Sequence, residues 1–146
     1  MWVVFEGLDK SGKTTLEWEF LKATNFKHII IDRGPAGYLA FDFIFGRATI
    51  EGNKQYGRNV GTMAASGEFI VVYCRVPANI AMQRLKEYNE TCPYDYERAQ
   101  GVYDEVVKRL YKETGINVLT IDTTMPIKEC IQMIIEKLEE AQKREL

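Results

Sequence analysis

FEGLDKSGKTT, Phe5 to Thr15, decides how the rest of the chain is read. An apolar run, Trp2 to Phe5, stops at a segment with two glycines, two lysines and three hydroxyl side chains. Within it, Gly7, Gly12, Lys13 and Thr14 fit the spacing G-x-x-x-x-G-K-[ST]. Such glycines let successive N–H groups turn toward a polyphosphate, and the helix that follows aims its positive end at the same anion. In this reading Lys13 reaches the outer phosphates of ATP and Thr14 ligates Mg²⁺. Ser11 and Thr15, inside the same loop, join the phosphate-binding set.

Outward from the loop, strands and helices alternate. Trp2–Phe5, His28–Asp32, Phe69–Cys74 and Ile116–Asp122 read as buried strands. Helical periodicity covers 14–24, with Leu16, Phe20 and Leu21 inward, and then roughly 53–66, 77–89, 95–113 and 126–143. The last helix opens with Pro126 and keeps Ile127, Cys130, Ile131, Ile134, Ile135 and Leu138 on one face. This alternation predicts an α/β, P-loop NTPase-type three-layer sandwich: a short parallel sheet of about four strands with helices on both faces. Ligands of such sheets bind at the carboxyl ends of the strands, where Gly7 and Asp32 both fall. No repeat, low-complexity tract or linker interrupts 1–146, so a single domain is expected.

Composition narrows the function class. Apolar residues are 46% and charged residues 27%, and the net charge is −2, a balance that gives no support to a dedicated duplex-DNA binder. The cysteines Cys74, Cys92 and Cys130 form no CxxC, and the single histidine, His28, completes no familiar zinc spacing, so a cytoplasmic protein with reduced thiols is expected. His28 reads as structural. No apolar run approaches the roughly 20 residues of a membrane span, and no membrane partner is expected.

The strand ending in Asp32 carries the second acid of the site. A carboxylate there can hold a Mg²⁺-bound water or accept a proton from the phosphoryl acceptor, and Arg33 beside it can clamp phosphate oxygens.

Together these segments resemble the thymidylate kinase family of nucleoside monophosphate kinases. FEGLDKSGKTT is similar to that family's F-E-G-x-D-x-x-G-K-[ST]-T, and DRGPAGYLAFD, Asp32 to Asp42, to its D-R-[YFH]-x-x-S-x-x-A-Y-Q. YCRVPANIAMQRL resembles the segment whose arginine, here Arg84, opens the lid. Helix 95–113 and the segment TIDTTMPIKECI follow in the family's order. The resemblance implies ATP- and Mg²⁺-dependent phosphoryl transfer to a nucleotide or nucleoside. It gives Lys13 and Thr14 to the donor phosphates and metal, with Asp32 also at the metal, and places Asp9 toward the acceptor. Lys10 falls at a catalytic position, Asp32 and Arg33 at the transferring phosphate, and Arg84 over ATP.

The chain also departs from the family. Only KATNFK separates the first helix from the Asp32 strand, where family members insert a strand and helices that hold the acceptor's base. Gly34 and Pro35 follow Asp32-Arg33 in place of the aromatic. Tyr38, Phe41 and Phe43 are candidates to stack an acceptor base, or to be helix core. The segment Gly46–Asn59, with Arg47, Lys54 and Arg58, reads as a glycine-rich loop that either binds a phosphorylated acceptor or is simply solvated. EYNETCPYD, Glu87 to Asp95, reads as a lid over ATP or a surface loop. A 5′-hydroxyl nucleic-acid end as acceptor, a nucleotide-binding module without transfer, and a homo-oligomer that completes the site all stay open.

Overall fold

The computed structural model describes residues 1–144; of the expected domain over 1–146, residues 145 and 146 lie outside it. Its strands are β1 (Trp2–Glu6), β2 (Ile29–Asp32), β3 (Phe69–Arg75) and β4 (Val118–Asp122). Its helices are α1 (Lys13–Ala23), α2 (Pro35–Ile44), α3 (Ile50–Ser66), α4 (Ala78–Glu87), α5 (Tyr96–Val107) and α6 (Ile127–Arg144). A π-helical segment, Lys108–Lys112, continues α5. Among the described residues the sheet has four parallel strands in the order β2-β1-β3-β4, the architecture expected. No described helix is long and apolar enough to cross a membrane.

Strand alternation sorts the core into two layers. Val3 and Phe5 of β1 face α1 and α6, meeting Leu16, Phe20, Ile134 and Leu138. Val4 faces the other side, with Leu39 and Ala40 of α2 and Tyr103 and Val106 of α5. Each fully buried Phe or Leu stabilises the fold by about 1.5–3 kcal/mol relative to exposure. β1 has neighbours on both sides, and the chain visits β2 before returning past β1 to β3. The loop after β1 therefore leaves the sheet at the point where strand order reverses, the usual ligand crevice of open α/β sheets.

Four sequence expectations change. Gly46–Asn59, read as a loop overlapping the helix expected from about 53, is loop only as far as Thr49: the Thr49 hydroxyl caps α3 at Ile50 by accepting from Gly52 N–H at 2.9 Å, and Tyr56, Val60 and Met63 form the inward stripe of the expected helix. Packing of that stripe offsets the roughly 1 kcal/mol that each glycine costs inside a helix. Leu21 is only half-buried, and Glu17 takes an inward position on α1 instead. Ile127 stands 37% exposed, at the rim of a cavity rather than in the core. The strand expected to be buried over His28–Asp32 is instead an open sheet edge, β2, with no fully buried residue and Ile29 54% exposed, because it has a neighbour on one side only.

Candidate active site

The loop from Gly7 to Gly12 wraps the start of α1. Gly12, at φ 84°, turns the chain into the helix in a left-handed conformation that side-chain-bearing residues resist, and its missing Cβ leaves room for Thr123, whose Oγ1 would lie 2.7 Å from one. No side chain caps α1 and no acid occupies its first turn, so its positive end opens onto a cavity of about 620 Å³. Lys13, Thr14, Thr15, Asp32, Arg33 and Arg84 all line that cavity. With Asp9 and Lys10, which line it too, the structure thus gathers the catalytic and metal candidates from two strand ends and two helices.

Lys13 donates to Asp32 Oδ1 at 2.5 Å. Behind the pair lies Glu17, one turn along α1 from Lys13 and 6% exposed. Burial, with help from a hydrogen bond to Asp32 and that residue's charge, pushes the Glu17 carboxyl up to about 8. Burial raises Asp32 as well, but the hydrogen bond from Glu17 and the Lys13 ammonium outweigh it and leave Asp32 below the usual carboxylate range. Glu17 is therefore the protonated member and Asp32 the anion, ready for a cation. A native pKa near 8 against an unfolded value near 4.5 means that the folded chain binds the extra proton between them. Stability should then be full below about pH 4.5 and fall as the pH rises toward 8, by at most about 1.4 kcal/mol per unit from this one group. Urea unfolding at pH 5, 6.5 and 8 checks this: Glu17→Gln should flatten the decline, and an unchanged slope would remove Glu17 as its source.

Arg33 has φ 69°, a strained choice for a residue with a side chain, and its guanidinium lies 4.2 Å from the Phe41 ring centroid. Its Nε is buried without a hydrogen-bond partner. Phe41 is 7% exposed and packs edge-on against Tyr94 and Tyr103, so it forms the seat of Arg33. Tyr38, half exposed, has its ring centroid 6.0 Å from the same guanidinium. Arg84 donates to the Lys10 carbonyl at 2.8 Å and to the Thr123 carbonyl at 3.5 Å, fastening the phosphate loop to the turn after β4. The Ser11 carbonyl accepts from the Thr123 hydroxyl at the same junction. Met125 and Ile127, just beyond, line the cavity.

Residues 88–95 lie against the phosphate loop. Lys10 Nζ pairs with Glu90 at 3.0 Å and sits over the Tyr88 ring at 4.4 Å, so its ammonium is held against that segment. Asp9 is exposed and accepts from Tyr94 O–H at 3.4 Å. His28 stacks on Phe20, with ring centroids 5.6 Å apart.

Sequence reasoning missed Glu6. The last residue of β1 is wholly buried. Its carboxyl accepts from Tyr103 O–H at 2.8 Å, Tyr111 O–H at 2.6 Å, Gly34 N–H at 3.1 Å and Gly37 N–H at 3.0 Å. Tyr103 in turn accepts from Gly7 N–H at 3.0 Å. One side chain thus ties the phosphate loop, the start of α2 and the α5 helix. Burial raises its pKa, and the four hydrogen bonds pull against that. Glycine at 37 is required by close approach, since a Cβ there would lie 2.5 Å from both Glu6 Oε1 and the Tyr103 hydroxyl. The π-helical segment brings Tyr111 onto the same side as Tyr103: eight residues of α-helix advance about 80° beyond two turns, and the wider π turn reduces the offset. The available signal was a carboxylate ending an otherwise apolar strand, which cannot be buried without partners.

No family model matches the chain, and no curated protein matches it. Solved structures do. Deoxyadenosine kinase from M. mycoides, with bound dCTP, is similar at a TM-score of 0.68 and 15% identity, over 96% of this chain and 100% of that one. The YorR protein of Bacillus subtilis, in complex with phosphorylated GDP, gives a TM-score of 0.71 at 16% identity, over 95% and 96% of the two chains. A sugar kinase from Janibacter sp. gives 0.54 at 15% identity, over 94% of each. Four parallel strands, the loop after β1 and these likenesses agree on the fold, an α/β P-loop kinase-like one.

Proposed function

We propose that the protein transfers the terminal phosphoryl group of ATP to a nucleoside or nucleotide, with Mg²⁺. The observation that carries this reading is the convergence of Lys13, Asp32 and Arg33 at the uncapped end of α1 in one cavity. Binding of a polyphosphate requires the loop and helix end alone. Transfer also needs cations around an electron-rich transition state and a carboxylate at the attacking oxygen or its metal, and this set supplies both.

Lys13 and the first-turn N–H groups bind the donor's outer phosphates, Met125 and Ile127 receive its base, and Arg84 braces the loop between them. Arg33 holds the transferring group, its guanidinium fixed on Phe41. Asp32 takes the acceptor's proton or orients it as the oxygen attacks and the bond to the departing diphosphate breaks. The donor set fits Mg²⁺: Thr14 and Asp32 would hold the ion, which supplies charge neutralisation on the phosphate oxygens. Among the described residues no cluster of three His, Cys, Asp or Glu could hold a metal, so phosphate and water would complete the shell, as Mg²⁺ accepts. Asp9, exposed beside the loop, faces the acceptor.

Incubation with labelled ATP, Mg²⁺ and a panel of nucleosides, nucleoside monophosphates and 5′-hydroxyl oligonucleotides tests the assignment. Label in a nucleoside or nucleotide supports it; label only in the oligonucleotide, or in none, overturns it. Asp32→Asn should lower kcat by about 10²-fold or more, while ATP affinity changes by less than about threefold, because the carboxylate acts on the transition state. Wild-type values of both would reduce Asp32 to a turn residue.

A further inference from the structure

A second groove meets the cavity at Asp32 and Arg33, which line both. It holds about 620 Å³, in the range of small-molecule sites, and runs along the α2–α3 face of the sheet toward the amino ends of β1 and β3. Its floor is apolar and even-numbered on β1, Trp2 and Val4, joined by Ile31 and Phe69. Tyr38 of α2 and Tyr56 of α3 stand on its walls. Asn59 and Thr62 give α3's side of it an amide and a hydroxyl.

We infer that this groove binds the base of the phosphoryl acceptor, a single nucleoside or nucleoside monophosphate whose sugar or phosphate end reaches Arg33. The inference rests on the kinase reading and extends it by naming where the acceptor's base is held. Three features choose the occupant. The groove shares Asp32 and Arg33 with the wall of the phosphate cavity, and the Arg33 Nε is buried without a partner. Its aromatic walls suit a flat ring, which can stack on a tyrosine while its polar edge meets Asn59 and Thr62. Among the described residues Arg33 is the one basic side chain lining it, and Glu68, just before β3, lines its opposite end, a charge pattern that admits one phosphate and repels the chain of a polynucleotide.

Trp2 is a built-in reporter, because the other tryptophan, Trp18, is exposed on α1 outside the groove. In a Trp18→Phe background, deoxynucleoside monophosphates should quench Trp2 fluorescence saturably, and ribose 5-phosphate, which lacks a base, should bind at least tenfold more weakly. Tyr38→Ala, which removes a stacking face, and Thr62→Glu, which adds bulk and charge, should each weaken binding by about tenfold or more. ATP binding, followed with a fluorescent analogue on the same proteins, tests the kinase reading separately. Three results would overturn the groove assignment: ATP binding with no quenching by any monophosphate, quenching that neither variant weakens, or a dimer in sedimentation that Thr62→Glu dissociates.

Discussion

Lys13→Ala is expected to lower the rate of phosphoryl transfer by at least about 10²- to 10³-fold and leave the fold in place. Removal of one well-placed donor to developing charge costs that much in other enzymes. The ammonium here is held at the mouth of α1, 2.5 Å from Asp32, where donor phosphates would lie. Its fold contribution is small for two reasons. Asp32 stays solvated at 60% side-chain exposure, and a half-exposed pair is worth about 1 kcal/mol or less. The melting temperature should therefore move by only about 3 °C. Thermal melting beside a labelled-ATP assay checks both halves. Near-normal turnover would defeat the phosphate-loop assignment, and a collapse of the melting temperature would make Lys13 a structural residue.

Glu6→Ala is expected to act in the opposite way, through stability. The change leaves two tyrosine hydroxyls and two backbone N–H groups without their acceptor in a site closed to water, and opens a cavity beside them. Unpaired buried donors cost about 1–3 kcal/mol each when nothing else satisfies them. A loss of about 4 kcal/mol or more is therefore expected, allowing for partial repair. Glu6→Gln keeps the shape and one carbonyl acceptor, so it should fall between the two. Urea denaturation of the three proteins measures this. A cost under about 1 kcal/mol for Glu6→Ala would show that the donors find other partners, and that the network does not set the geometry of Gly7, Gly34 and Arg33.

The local parts of this protein are legible along the chain because they depend on near neighbours. The glycine spacing and the Lys13-Thr14 pair make a phosphate loop by backbone geometry alone. Short β-rich runs between helical repeats settle a parallel sheet, since each crossover spans the length of one helix. Asp32 and Arg33 are readable too, as polar residues closing an apolar strand. Tertiary structure decided the rest. Glu6 reads as the ordinary end of a strand until Tyr103 and Tyr111, roughly a hundred residues away, supply its donors. Glu17 reads as a solvated helix residue until packing places it behind Asp32. The helix over 53–66 is legible from its period, but the glycines ahead of it signal a loop, and the Thr49 cap and the seating of Tyr56 on the core carry the helix back to Ile50. In each case the energy that decides the outcome comes from groups distant in sequence. Burial removes the water that would otherwise satisfy a carboxylate, so its partners, absent from its neighbourhood in the chain, determine what it does.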